Sequence, residues 1–207
     1  PANVAVTDEL LSHDYFKRLS GFANKLMWIF APLLASFYAV QMGMLAARYP
    51  NLTWNFVGTL FAACTFNFGP RAITIPHLDF GNLSWGRCAI TALGWFDPDI
   101  GGHLILWDLK LVIRFPPGST IMIPSAICRH SNVPVGPEET RFSFTQYTAG
   151  GLFRWIRNGF KSDDDFARTA SQEEKAACAS EAATRWETGV AMYSTVDSLA
   201  TDILNSE

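Results

Sequence analysis

The feature that most constrains the fold is a series of short, strand-prone runs between residues 72 and 147. Turn sequences such as Asp97-Pro98-Asp99 and Pro116-Pro117-Gly118 separate these runs. Helices do not alternate with the runs, which argues against a doubly wound α/β sheet. The pattern therefore predicts an all-β barrel or sandwich core. The six predicted strands are Ala72–Ile75, Cys88–Leu93, His103–Trp107, Leu111–Phe115, Ser119–Ile123 and Arg141–Tyr147.

Both ends of the chain have helical patterns. Residues 8–48 are predicted to be helical, as is the tail after residue 170. We therefore predict one domain made of an N-terminal helical support (1–55), a β core (56–160) and an acidic C-terminal helical extension (161–207).

Three local patterns describe the tail in more detail. Ser171-Gln172-Glu173-Glu174 has the form of a capping box and predicts a helix that ends near Arg185 or Trp186. A second helix is predicted to begin at Ser194. The run Asp163-Asp164-Asp165 is interpreted as a solvated connector.

An uncharged run of 22 residues from Leu26 to Ala47 is long enough to cross a bilayer. Pro32 and Gly43 are expected to break it into shorter, buried helices, so a membrane span is not predicted. The run starts too late and lacks the basic leader of a signal peptide.

The four cysteines form no Cys-x-x-Cys pair, which indicates free thiols in a reducing compartment. An intracellular location follows, with the nucleus as one candidate.

The strongest chemical signal is His77-x-Asp79 followed by a distant His130. Two histidines and one carboxylate are the ligand set that holds non-haem Fe(II) and leaves coordination positions open. Zinc fits less well, because zinc sites favour a third histidine or cysteine ligands. Arg141 and Ser143 follow His130 and have the chemistry to hold the distal carboxylate of 2-oxoglutarate. Each signal alone has an ordinary explanation, such as a loop position for His130. Their order and combination carry the prediction.

Alternation along a strand places residues i and i+2 on the same face. His77 and Asp79, if on a strand, would therefore project together. The same argument places Arg141, Ser143, Thr145 and Tyr147 on one face of a later strand. Burying so many polar groups is costly unless a metal ion and an anion compensate.

These residues resemble the Fe(II)/2-oxoglutarate dioxygenases of the TET/JBP superfamily. The resemblance covers residues 55–160 and includes His77-Leu78-Asp79-Phe80-Gly81-Asn82 and Arg141-Phe142-Ser143. The runs Thr65–Arg71 and Gln146–Trp155 are similar to the fungal branch of the family in particular. The resemblance implies a double-stranded β-helix (jelly-roll) core with flanking helices. It also implies Fe(II), 2-oxoglutarate and O2 as the reactive partners.

The resemblance further implies a role for each matching residue. His77, Asp79 and His130 would bind iron, and Arg141, Ser143 and His103 would contact 2-oxoglutarate. Asn82 would read the Watson–Crick edge of a flipped methylated base. Two positions stay open. Arg71 would reach co-substrate or substrate, or else form a surface ion pair, and Tyr147 would line the pocket or simply fill the barrel.

The implied reaction is oxidation of a methyl group on a nucleobase, 5-methylcytosine first and N6-methyladenine second, with methylated nucleic acid as partner. Two alternatives stay open: a hydroxylase of a small metabolite or nucleoside, and a degenerate barrel without activity.

The charge distribution of the chain shows no dense stripe of basic residues of the kind that binds DNA. Residues 1–160 carry a net +3 and residues 161–207 a net −6. The cysteine-rich zinc region of the vertebrate members has no counterpart before residue 60.

Overall fold

The computed structural model describes residues 2–206. The chain divides into two compact units: residues 61–150 form one, and the flanking segments, residues 1–60 and 151–207, together form the other. These limits lie at 60 and 150, whereas the sequence pattern predicted boundaries at 55 and 160. The prediction of a single domain stays a prediction.

Seven β-strands, all paired in antiparallel fashion, build the unit of residues 61–150. The strands occupy the predicted β region, so the mainly β character of this core is confirmed. They are β1 (Ala63–Asn67), β2 (Cys88–Trp95), β3 (Leu104–Leu106), β4 (Leu111–Ile113), β5 (Thr120–Ile123), β6 (His130–Asn132) and β7 (Thr140–Tyr147).

The strands form two sheets that share one apolar core. The larger sheet has the order β1-β7-β2-β5 and the smaller one β4-β3-β6. Ile90 and Ala92 from the larger sheet pack in one buried cluster with Leu104 and Leu106 from the smaller sheet. Because residues two apart point the same way, β2 contributes Cys88, Ile90 and Ala92 to this cluster, and β3 contributes Leu104 and Leu106.

The segment from Pro70 to Asn82 does not form the predicted strands. Neither Ala72–Ile75 nor the region of His77 and Asp79 is a strand; instead the segment makes isolated bridges, among them one between His77 and His130. Pro76 interrupts it and has no N–H to donate, so a continuous ladder cannot form. Conversely, β1 and β6 are strands that the sequence pattern did not predict.

The other unit is helical, and the uncharged run lies in two of its helices. That run breaks at Ala31, where Pro32 opens a new helix, as predicted, but Gly43 lies inside the second helix and does not break it. No helix among residues 2–206 combines the length and apolar character needed to cross a membrane. The helices are α1 (Ala2–Ser12), α2 (Asp14–Phe30), α3 (Pro32–Arg48), α4 (Gly150–Arg157), α5 (Asp163–Thr169), α6 (Gln172–Val190) and α7 (Leu199–Asn205).

The tail confirms the capping box and corrects three other predictions. Ser171 and Glu174 make both reciprocal cap contacts, and α6 continues past Trp186 to Val190. The last helix begins at Leu199, not at Ser194. The three aspartates predicted as a connector form the first turn of α5, where Ser162 caps the helix and negative charge is favoured.

Candidate metal centre and co-substrate pocket

His77, Asp79 and His130 converge in the unit of residues 61–150. One ligand atom from each lies within 4.8 Å of the others. The Nε2 atom of His77 is 3.5 Å from Oδ1 of Asp79, and that of His130 is 3.9 Å from Oδ2. The side chain of His130 is 6% exposed, against 35% for His77 and 32% for Asp79. The three donors therefore face a common point that is open on one side.

Backbone pairing brings these residues together across a long stretch of chain. The N–H of His77 donates to the carbonyl of His130 at 3.1 Å, and the N–H of His130 donates back at 3.0 Å. The N–H of Asp79 donates to the carbonyl of Ser125 at 3.0 Å. The relative positions of the three side chains are thus fixed by main-chain hydrogen bonds, without a regular strand at residues 77–79.

Both imidazoles are held in the form that a metal requires. Nδ1 of His77 lies 2.8 Å from the carbonyl of Ile75, and Nδ1 of His130 lies 3.0 Å from that of Cys128. Because a carbonyl only accepts, each Nδ1 carries the proton, which leaves each Nε2, close to Asp79, with a free lone pair for a metal ion. Burial also lowers the pKa of His130, although its bond to Cys128 acts in the opposite direction. The residues present therefore fit a divalent metal ion.

A cavity of about 340 Å³ adjoins the side chains of His77, Asp79 and His130. Arg141, Ser143, Thr145 and Tyr147 all line it, as the alternation along β7 predicted. Strand β1 adds Thr65 and Asn67 to the lining, because Thr65 lies opposite Thr145 and Asn67 opposite Ser143 in the β1–β7 register. The sequence pattern did not predict either residue. The only sequence signal for them is that they lie two residues apart and so share one face of β1. That signal identifies lining residues only once the strand that pairs with β1 is known.

Arg141 supplies the guanidinium of this cavity and is only 3% exposed. Its Nη1 donates to the carbonyl of Ala72 at 3.0 Å, while its buried Nε has no hydrogen-bond acceptor among the described residues. Burial lowers the pKa of Arg141, yet a guanidinium stays protonated in proteins. A buried cation without a counter-charge is costly, and a carboxylate ligand would satisfy it.

Asn67 and Ser143 make a directed contact beside Arg141. The Nδ2 of Asn67 donates to Oγ of Ser143 at 2.9 Å. Since Oγ accepts this bond, the hydroxyl proton of Ser143 is free to donate to another acceptor. Ser143 can therefore donate a hydrogen bond to a ligand in the same cavity as the guanidinium of Arg141.

Asn82 and Phe80 lie on the metal side of the cavity. The Nδ2 of Asn82 is 3.2 Å from Oγ of Ser125 and 3.5 Å from Oδ2 of Asp79. Phe80 also lines the cavity although its ring is 83% exposed. A large apolar ring at the mouth of a polar cavity is an available surface for a planar ligand.

The structure does not bring His103 or Arg71 to the cavity lining. His103 precedes β3, and its neighbour Leu104 lines the cavity instead, because adjacent residues point to opposite faces. Arg71 is exposed and donates through Nη1 to the carbonyl of Pro137. The roles that the resemblance implies for His103 and Arg71 stay predictions.

One run of the sequence mixes cationic and aromatic residues, a composition that suits either a base-stacking surface or a packed barrel edge. This run, Arg154-Trp155-Ile156-Arg157, is part of α4 in the helical unit. The ring of Trp155 stacks on Tyr49 at 5.4 Å. His13, expected to be an ordinary surface residue, is exposed and accepts a hydrogen bond from the N–H of Tyr15 at the start of α2.

No protein-family model matches the chain, and no curated protein matches it. Among solved structures, NgTET1 in complex with 5mC DNA matches with a TM-score of 0.51 and 17% identity, covering 70% of this chain and 52% of that one. The viral collagen prolyl hydroxylase vCPH from Paramecium Bursaria Chlorella virus-1, solved as a 2OG complex, matches with a TM-score of 0.30 and 15% identity. This match covers 42% of this chain and 60% of that one.

The chain thus spans about half the length of the NgTET1 structure that it matches. The predicted resemblance to the TET type is confirmed at the level of the fold, while its assignment to the fungal branch stays a prediction. The matched part of this chain has a fold similar to that of NgTET1.

Proposed function

We propose that the protein is an Fe(II)/2-oxoglutarate-dependent dioxygenase. The observation that carries this proposal is the convergence of His77, Asp79 and His130 within 4.8 Å beside the buried guanidinium of Arg141. A ligand triad with open positions and a nearby cation for a dicarboxylate are the two requirements of this chemistry. We also propose that the two sheets are the halves of a double-stranded β-helix.

The proposed roles divide the cavity into two ends. His77, Asp79 and His130 would hold Fe(II) at one end. Arg141 would pair with the distal carboxylate of 2-oxoglutarate, and Ser143 would donate its free hydroxyl proton to the same group. Bound iron, with 2-oxoglutarate and O2, supplies the oxidising power that abstracts hydrogen from a substrate C–H bond. The chain itself contributes orientation: the Nδ1 bonds fix both imidazoles and the β7 register fixes Arg141 relative to Ser143.

The proposed substrate is a methylated nucleobase, 5-methylcytosine first and N6-methyladenine second. NgTET1, whose fold this chain shares, was solved in complex with 5mC DNA. Asn82 lines the cavity next to Asp79 and offers an amide that can pair with a base edge. A base must leave the stack to reach such a site. Action on DNA would place the protein in the nucleus.

A second candidate is a hydroxylase of a small metabolite or nucleoside. The net charge of −3 favours it, because phosphate contacts dominate the affinity of proteins for duplex DNA. The two candidates share metal, co-substrate and mechanism, and they differ only in what enters the mouth of the cavity.

The deciding experiment incubates the protein with Fe(II), 2-oxoglutarate and a duplex or single strand that carries one methylated base. Mass spectrometry then measures oxidised bases and succinate in the same reaction. Oxidised base with matching succinate supports the proposal. Succinate formed only with free nucleosides or metabolites supports the second candidate. No metal binding and no succinate with any substrate would leave the chain as a barrel without activity and refute both.

A further inference from the structure

The helical unit contains a groove of its own. It is an open surface groove of about 550 Å³ that lies between α6, α5 and Arg157 at the end of α4. All of its lining residues belong to residues 151–207. The proposed iron and co-substrate sites lie in the other unit and share no residue with this groove, so a ligand bound here would be independent of them.

One face of α6 forms a wall of the groove. Lys175, Cys178, Ala182 and Arg185 recur at spacings of three, four and three residues, which places them on a single helical face. Apart from Gly189, α6 buries no residue fully, and its lining face carries cations at both ends and small side chains between them. The small side chains between the two cations leave room for a ligand.

The cations of the groove lack partners at buried atoms. The Nε of Arg157 and both Nε and Nη2 of Arg185 are buried and have no hydrogen-bond acceptor among the described residues. Glu181 comes within 3.8 Å of the Arg185 Nε, too far for a hydrogen bond. Buried donors without acceptors cost free energy, which an oxyanion seated between them would recover.

Acidic side chains are plentiful in this part of the chain, but none of them lines the groove, although Glu181 forms a long ion pair with the lining cation Arg185 at 3.8 Å. Residues 161–207 carry a net charge of −6, yet two of their four cations, Lys175 and Arg185, line the groove. Asp163 pairs with Arg154 at 2.9 Å, and Asp165 pairs with Arg168. The groove is therefore a positive site within an acidic segment.

We propose that this groove binds an organic anion in which one oxyanion head group, a carboxylate or a phosphate, is joined to an apolar body. The guanidiniums of Arg157 and Arg185, with Lys175, receive the head group. Phe166, Ala179 and Ala182 supply the apolar wall for the body. Both head groups present the same acceptor oxygens to the cations, and one probe of each kind distinguishes them.

Cys178 provides a local reporter because its thiol is free and lines the groove. The whole chain is treated with iodoacetamide, and peptide mass spectrometry follows alkylation at each cysteine. Decanoate and decyl phosphate, each below its micellar concentration, are the probes, with decan-1-ol and decyltrimethylammonium as controls. A bound probe should slow alkylation of Cys178 by about fivefold or more, since pockets cover most of a ligand's surface. Cys64, in the other unit, should be unaffected.

Two variants test the head-group contacts separately. Arg157→Gln and Arg185→Gln lie on different helices, and each should raise the Kd of the probe about tenfold, the typical effect of one lost charge-assisted hydrogen bond. Arg168→Gln is the matched control, because Arg168 belongs to α5 but does not line the groove. Calorimetric titration of the variants, with circular dichroism to verify folding, supplies the affinities.

Protection by decanoate, decyl phosphate or both supports the proposal and identifies the head group. Equal protection by decan-1-ol would overturn it, since the cations would then contribute nothing. So would unchanged affinity in both Arg157→Gln and Arg185→Gln, or the absence of protection by any of the probes.

Discussion

At the scale of single residues, the donor atoms of the candidate metal site should be indispensable. His77→Ala or Asp79→Ala should abolish stoichiometric iron binding and succinate formation, because two ligands cannot replace a facial set of three. Iron content after anaerobic loading and gel filtration provides the measurement. His13→Ala is the control, since His13 is exposed at the start of α2. Full turnover in either ligand variant would remove these residues from the site.

The contact between Asn67 and Ser143 makes a sharper prediction about the co-substrate. Asn67→Asp replaces a donor by an acceptor, so it would take up the hydroxyl proton of Ser143 and add a negative charge beside the 2-oxoglutarate carboxylate. We expect the KM for 2-oxoglutarate to rise about tenfold or more in Asn67→Asp, and less in Asn67→Ala. Iron binding should be retained in both. Equal effects of the two substitutions would contradict the donor role of Ser143.

Asn82 should separate substrate oxidation from co-substrate binding. It lines the cavity and contacts Ser125 and Asp79, but it is not one of the proposed ligands. Asn82→Ala should lower the rate of substrate oxidation about tenfold, the effect of one lost hydrogen bond to a substrate, while the Kd of 2-oxoglutarate stays within about twofold. An unchanged substrate rate would exclude Asn82 from recognition.

At the scale of elements, the segment from Pro70 to Asn82 shows how an irregular stretch positions functional groups. Asn132 accepts hydrogen bonds at its Oδ1 from the N–H and the hydroxyl of Thr74, at 2.8 and 3.0 Å. Arg141 donates to the carbonyl of Ala72, and His130 pairs with His77. Side chains and backbone of β6 and β7 thus hold the segment where Pro76 prevents a strand.

The capping box of α6 offers a prediction at the same scale. Ser171→Ala removes the side chain that accepts from the N–H of Glu174 at 3.1 Å, and it should destabilise the helical unit by about 1 kcal/mol. Urea unfolding followed by circular dichroism measures the change. Ser180→Ala, the same substitution at an exposed position inside α6, should have little or no destabilising effect. Equal destabilisation by both would show that the cap is not the cause.

At the scale of the whole molecule, metal and co-substrate should stabilise the fold jointly. A ligand that binds only the native state at about a hundred times its Kd contributes about 2.7 kcal/mol. Mn(II), used as a substitute for iron that does not support turnover, together with 2-oxoglutarate should therefore raise the Tm by about 5–10 °C. His130→Ala should lose this increment, because its imidazole is one of the three convergent donors. Differential scanning calorimetry provides the test, and an equal shift in His130→Ala would place the binding elsewhere.

The sequence by itself determined the chemistry and the local signals. Ligand types, the order His77, Asp79, His130, the alternation along β7 and the capping box at Ser171 all depend on residues close in the chain or on residue identity. The tertiary structure alone decided which distant residues meet. Asn67 and Ser143 lie 76 positions apart and face each other only because β1 pairs with β7 in one register. Strand register depends on non-local packing that no local pattern encodes, so the lining of the cavity by Asn67 could not be predicted from the sequence.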